Sequence, residues 1–209
     1  MPSMVRASGE ASVSAAPDRV RIEIGVLTQA SSAEAAAARN AAQTTAVLSK
    51  LGSIVGIAGS LRTANYSLNP NLRYTPNGGS PTIDGYNANN TVQVTLDDLT
   101  LAAKAIDAAA AAGSNTINGI QFLLRDSSPL HAEALRQATL NAKSNAETIA
   151  LAMGLHVVRM VSAEAEGAAT PRMFEPMAMA ARAPASPTPV EPGSVDVHAS
   201  VTVTLEVSP

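Results

Sequence analysis

The sequence predicts an α+β fold, a largely antiparallel β-sheet with about three helices packed on it, in the order β-β-α-β-β-α-β-α-β-β. Three observations predict it. Long stretches alternate apolar and polar residues with period two, and Ala-rich stretches with three-to-four spacing lie between them. Paired strands also occur beside single crossovers, as they do when helices cover one face of an antiparallel sheet.

Val20, Ile22, Ile24 and Val26 alternate with Arg21, Glu23 and Gly25, the pattern of a half-buried strand. Pro17-Asp18 reads as a turn, which makes residues 7–15 the expected hairpin partner. Ser31 with Glu34 forms a capping-box pattern and opens a helix to about Leu51. Its expected buried stripe is Ala38, Ala41, Ala42, Thr45, Leu48 and Leu51, with Gly52 as the stop. Residues 54–74 look extended, and TPNGGSPT (75–82) turns them back. In the returning strand Tyr86, Ala88, Asn90, Val92, Val94 and Leu96 share one face; Asn87, Asn89, Thr91, Gln93 and Thr95 share the other.

Asp98 is placed to cap a second helix with the stripe Leu99, Ala102, Ile106 and Ala109. The stretch GSNTINGIQFLLRD (113–126) follows it into a strand. Gly113 is expected to end the helix in a left-handed conformation, leaving Ser114 and Asn115 to satisfy the last carbonyls. Asn118-Gly119 then bulges or bends the strand before Ile120, Phe122 and Leu124 enter the core. Ser128 as N-cap and Pro129 as first residue start a third helix, with Leu135, Ala138, Ala142, Ile149 and Met153 as its seam and Gly154 at its close.

Residues 155–166 return as a strand. Residues 167–192 carry six prolines and break every period, so they are expected to be a flexible Pro/Met/Ala-rich insertion in a single domain of residues 1–209. The last strand alternates Val195, Val197, Ala199, Val201, Val203, Leu205 and Val207 with polar residues. The repeated order strand, helix, strand, strand hints at internal duplication.

Composition narrows the function. Lys and Arg number 14 against 17 Asp and Glu, a net charge of -3 without a basic stripe, which argues against a nucleic-acid surface. No polybasic amphipathic helix suits a membrane surface, and no stretch approaches membrane-spanning length. The chain has no cysteine, which removes disulfides, thiol catalysis and thiolate metal sites. Residues 1–12 lack the apolar segment of an export signal, and the chain as it stands is expected to be soluble.

Chemistry-bearing residues are scattered. His131, His156 and His198 show no ligand spacing, and serine occurs in no nucleophile signature. The pairs Asp97-Asp98 and Glu164/Glu166 have structural explanations in a helix cap and in the flank of the insertion. GSNTING runs from helix to strand, the reverse of a phosphate cradle. Met173, Met177 and Met179 offer soft thioethers to Cu(I), though an adaptable apolar arm explains them better. No cofactor is expected.

Three stretches resemble the SIMPL-domain proteins, also called the YggE-like or periplasmic immunogenic protein family. They are IDGYNANNTVQV (83–94), with Gly85 and Tyr86; the 113–126 stretch, through Gly113, Asn115, Ile117, Gly119, Ile120 and Phe122; and the Ala-rich HAEALRQATLNAKSNAETIALAMGL (131–155). GEASVSAAPDRVRIEIGV (9–26) and PGSVDVHASVTVTLEV (192–207) are similar to the family's terminal strands. Ser114 stands where the family often has Ala, and Asn141 and Asn145 where it more often has charge.

The resemblance implies an α+β fold, a place in the periplasm or cell envelope, and homo-oligomers that are ring-like or channel-like in some members. It also implies a link to oxidative-stress tolerance and carries no catalytic set. The expected function is therefore a non-enzymatic, homo-oligomeric envelope protein whose partner is itself. An Ala-rich interior and polar edges suit repeated subunit contacts, and a closed ring would cover exposed strand edges. The alternative is a small-ligand or metal-binding module using the Met-rich arm or the Asn-rich strand face.

Overall fold

The computed structural model describes residues 2–56, 59–74, 80–166, 172–173 and 192–209. In chain order the elements are β1 (Ser3–Ala15), β2 (Arg19–Ala30), α1 (Ala33–Val55), β3 (Ser60–Arg73), β4 (Thr82–Leu96), α2 (Leu101–Ala111), β5 (Thr116–Leu123), α3 (Ser128–Ala152), β6 (His156–Glu166), the two-residue β7 (Arg172–Met173) and β8 (Val195–Ser208). All strand pairs are antiparallel. The fold class and element order are those the sequence predicts, with the strands divided between two sheets, β1-β8-β6 with β7 beside β8, and β3-β4-β2-β5.

The chain forms two compact units, one for each sheet. In the second, β2 leads to α1 and then to the β3–β4 hairpin, with β4 between β2 and β3. In the first, β1, α3, β6 and β8 come in the same order, with β8 between β1 and β6. Each is a strand–helix–strand–strand plan whose last strand lies in the middle, so the half-repeat hinted at in the sequence is present as topology. The second unit adds α2 and β5.

The expected hairpin of residues 7–15 with the strand after Pro17 does not form. β1 pairs along its whole length with β8, from Ser3 opposite Val207 to Ala15 opposite Val195. Pro17-Asp18 passes the chain on to the other sheet, where the Asp18 backbone N–H donates to the Leu123 carbonyl at 3.1 Å.

In the first unit, Ala134, Ala138, Ala142, Ala146 and Ala150 are fully buried on Val201, Val203, Leu205 and Val207. This is one unbroken row at four-residue spacing, which slants across a helix and sets its crossing on the sheet. The expected seam therefore holds only in part. Ala138 and Ala142 belong to it and Leu135 packs at its margin, but Ile149 is 42% exposed and Met153 65%. The reason is proximity. A Cβ built on Gly9 of β1 would overlap the Ala142 N and the Ala138 O, with the Ala142 Cα 2.8 Å away. Only alanine and glycine fit between backbones that approach so closely.

The second unit has a thicker core. Val20, Ile22, Ile24 and Val26 of β2 and Val92, Val94 and Leu96 of β4 meet Val47, Leu51 and Val55 of α1 and Ala102, Ala105, Ile106 and Ala109 of α2. The buried face of α1 is Ala36, Asn40, Thr44, Val47, Leu51 and Val55; Ala38, Ala41, Ala42 and Thr45 of the expected stripe are exposed. Alanine on every side of this helix blurs its phase, and polar Asn40 and Thr44 hide the true face from a hydrophobic count. The cap is Ser32, whose hydroxyl accepts from the Ala35 N–H at 3.2 Å, in place of Ser31. Buried Val55 carries the helix past Gly52 to Gly56, at φ 60°.

α3 starts differently from expectation. Ser127 occupies the capping position without a side-chain bond, and the Asp126 carboxylate accepts from the Ser128 N–H at 2.9 Å.

Candidate functional site

The stretch 113–126 is a joint built from backbone geometry. Gly113, at φ 109°, ends α2. Its N–H donates to the Ala110 carbonyl at 3.1 Å and that of Ser114 to the Ala109 carbonyl at 2.9 Å, the two bonds of a Schellman motif. Gly154, at φ 72°, closes α3 with the same pair, Gly154 to Leu151 and Leu155 to Ala150. Backbone groups thus satisfy the carbonyls expected to be capped by the side chains of Ser114 and Asn115.

Those two side chains reach β2. The Ser114 hydroxyl donates to the Gly25 carbonyl at 2.9 Å. The Asn115 amide bonds both backbone groups of Leu27, accepting from its N–H at 2.8 Å and donating to its carbonyl at 2.7 Å. Regular pairing of β2 with β5 ends at Gly25 opposite Thr116. Asn115 continues the ladder by one rung with its side chain, since a carboxamide carries the donor and acceptor of a peptide group. Asn118 is the extra residue of a bulge, because Gly119 faces Glu23 and Ile117 faces Ile24. Ile120 and Phe122 pack against the core.

Gly85 and Tyr86 mark the end of another rung. Tyr86 lies opposite Ala30, the last residue of β2. Gly85 has φ 137°, and a Cβ there would come within 2.9 Å of the Ala30 carbonyl oxygen. Glycine is required for both reasons.

Other asparagines repeat the behaviour of Asn115. Asn40, fully buried, donates to the carbonyls of Val26 at 2.7 Å and Ala88 at 2.9 Å, bridging β2 and β4. Asn141 donates to the Glu10 carbonyl and Asn145 to the Ser8 carbonyl, both at 2.9 Å. Four residues of helix rise about 6 Å and two of strand about 6.6 Å, so α3 and β1 stay in step over these contacts. β1 is an edge strand, and the two amides occupy carbonyls that another strand would use. The sequence singled out Asn141 and Asn145 only as departures from a family pattern; their four-residue spacing beside an alanine row was the available signal.

Two open surface grooves accompany these contacts. One, of about 440 Å³, is lined by Ser8, Gly9, Glu10, Asn141, Ser144 and Asn145. The other, of about 430 Å³, is lined by Leu27, Thr28, Gln29, Arg39, Ala42 and Gln43. Asn141 and Asn145 in the first each give one amide N–H to β1.

Asp97 and Asp98 serve local structure. Asp97 accepts from the Arg19 Nε at 2.7 Å, and this hydrogen bond holds the guanidinium above its ordinary pKa. Asp98 accepts from the hydroxyl and N–H of Thr100, at 2.6 and 2.9 Å, which lowers its pKa. Each of the two carboxylates thus has its own donor. Glu164 lies 4.0 Å from Arg6.

His156 stands opposite Ser208 on β8, ten residues from His198, so about 33 Å of strand separates them. His198 is exposed on the face of β8 opposite its buried valines, and His131 lies in α3. Among the described residues no three of His, Asp or Glu stand close enough to hold a metal ion. Met173 lies in β7 opposite Val195; Met177 and Met179 lie outside the described residues. On the Asn-rich strand face, Gln93 accepts from Arg62 at 2.8 and 3.1 Å and Thr91 from Asn118 at 3.2 Å, and both Gln93 and Thr91 are buried.

Among the described residues no helix is long and apolar enough to cross a membrane. The chain is 27% identical over 215 residues to the 26 kDa periplasmic immunogenic protein of Brucella melitensis, a match covering 99% of this chain and 85% of the relative. The protein of the same name from Brucella abortus matches with the same identity and coverage. Residues 5–205 match the family described as SIMPL, protein of unknown function (DUF541). Joint, bridging asparagines and alanine row alike are therefore features of a chain that belongs to the SIMPL family.

Proposed function

We propose that the protein is a non-enzymatic, homo-oligomeric component of the bacterial cell envelope. One observation carries the reading: the edge strand that follows the helix in each unit, β3 and β6, bears large apolar side chains open to solvent. In β3 these are Tyr66, 50% exposed, Leu68 and Leu72; in β6 they are Val157, Val158, which is 56% exposed, Met160 and Val161. Large apolar side chains gathered in the open on one strand mark an interaction site.

The periplasmic relatives support the envelope location, and the family resemblance is the support for a link to oxidative-stress tolerance. The non-enzymatic reading draws on Asp97, Asp98 and Asp126, which accept hydrogen bonds from Arg19, Thr100 and Ser128 in turn. Mass measurement in native solution at micromolar concentration tests the proposal. The expected result is a defined multiple of the 21.2 kDa chain; a strict monomer would contradict it.

A further inference from the structure

β2 runs further than the strand beside it. Regular pairing with β5 ends at Gly25 opposite Thr116, and the Asn115 side chain supplies one more rung at Leu27. Backbone groups of alternate residues in a strand point to the same edge, so those of Gln29 come next. No strand reaches them, because the chain before Ser114 is the Gly113 turn and α2. The result is a notch at the edge of the sheet, the groove of about 430 Å³ lined by Leu27, Thr28, Gln29, Arg39, Ala42 and Gln43. α1 forms its other wall. Gln43 lies beside the turn, its Cγ 3.6 Å from where a Cβ on Gly113 would stand.

What the notch can take follows from the hydrogen-bonding groups left unused in it. The Thr28 hydroxyl donates to the Ala36 carbonyl at 2.9 Å, and Leu27 uses both ends of the Asn115 amide. The Gln29 carbonyl accepts from the Arg39 Nη1 at 3.3 Å. Left over, among the described residues, are the Gln29 backbone N–H, the rest of the Arg39 N–H fork and the amides of Gln29 and Gln43. Donors predominate, one of them is charged, and no acidic side chain lines the notch. Arg6, Arg19, Arg73, Arg136 and Arg159 each face a carboxylate; among the described residues Arg39 faces none. Leu27, 43% exposed, and Ala42 add an apolar side.

We infer that this notch binds a small monocarboxylate with a short apolar chain. A guanidinium gives a carboxylate two parallel N–H bonds, the Gln29 N–H opens on the same edge, and the apolar chain rests on Leu27 and Ala42. A dianion such as phosphate calls for a second cation, and the lining has one. A neutral ligand leaves the charge of Arg39 unmatched and forgoes the stronger, charge-assisted bonds. The volume suits the class, small-ligand sites spanning roughly 300–1,000 Å³. The site is independent of the homo-oligomeric reading, since none of its residues belongs to β3 or β6.

Saturation-transfer NMR of the full chain with sodium hexanoate tests the site, with hexanamide as the uncharged isostere. Hexanoate is expected to bind with a Kd on the order of 1 mM, as a ligand of few atoms does. Hexanamide should bind about tenfold more weakly or worse. Arg39→Gln should weaken hexanoate by a similar factor, while Arg136→Gln, which removes the same charge from α3, should leave it unchanged. Ala42→Glu sets a carboxylate in the notch and should expel hexanoate; its exposed position serves should Arg39→Gln fail to fold. N-acetyl-leucine separates a free acid from the end of a peptide chain, and whichever acid binds tighter identifies the source. Equal binding of hexanamide and hexanoate, or equal loss in Arg39→Gln and Arg136→Gln, would overturn the inference. So would hexanoate binding that survives Ala42→Glu, or the absence of signal from both acids with the unaltered chain.

Discussion

The two units share a plan and differ in how far the helix stands from the sheet. In the first, five alanines of α3 and Gly9 of β1 bring the two backbones into contact. In the second, valine, isoleucine and leucine fill the space, and the buried amide of Asn40 and hydroxyl of Thr28 tie helix to strands. Close approach lets exposed asparagines at the flank of α3 reach the edge of its sheet. A thick core requires the asparagine to be buried in it. Side-chain size thus decides where polar contacts between the layers sit, with topology held constant.

The glycines break this comparison most sharply. Gly9→Ala sets a methyl group into helix backbone that cannot rotate away, and should lower stability by about 3 kcal/mol or more, read by urea unfolding. Gly25→Ala in the second unit meets the Thr116 side chain, which can turn aside, and should cost about 1 kcal/mol. Equal losses would mean that the helix spacing is not what distinguishes the units.

Next come the asparagines. Asn40→Ala leaves two buried carbonyls without their donor and should cost about 2–3 kcal/mol. Asn145→Ala frees a carbonyl that water can reach and should cost at most about 1 kcal/mol. Asn115→Ala lies between, near 1 kcal/mol, since it removes both bonds to Leu27 at an exposed site; faster hydrogen exchange at the Leu27 amide is its local signature.

What the sequence showed clearly were the strands with clean alternation. β4 and β8 hold the faces read from them because a period of two has only two phases. Helix phase was harder. In α1 and α3 alanine occurs all round, so the buried row depends on spacing that only the sheet opposite dictates. Ile149 and Met153 look like seam residues until the sheet opposite selects the row from Ala134 to Ala150 instead. Pairing across the chain was beyond reach, as with β1 and β8, because each strand carries a face and no address. Of the structural motif, Gly113 and Gly119 were legible as places where the chain bends, and Gly85 only through the family resemblance. The partner of Asn115 was not, since a side chain replacing a ladder rung leaves no periodic trace.

The smallest expected effect is electrostatic. Hydrogen bonds from Arg136, then Gln137, hold the exposed Glu133 carboxylate down from the ordinary 4.5 to about 2. Its folded pKa is the lower one, so its contribution to α3 is complete above 4.5 and fades as pH falls toward 2. Salt and exposure keep it slight. Glu133→Gln should flatten the stability profile of the first unit in that window and leave neutral pH nearly unchanged.

On the proposed reading, the exposed apolar side chains of β3 and β6 are where the molecule meets its own copies. Hydrogen exchange across a dilution series, followed by mass spectrometry, tests it most directly. Protection of β3 and β6 should rise with protein concentration more than that of the other described segments. Exchange in both strands that is indifferent to concentration would contradict it.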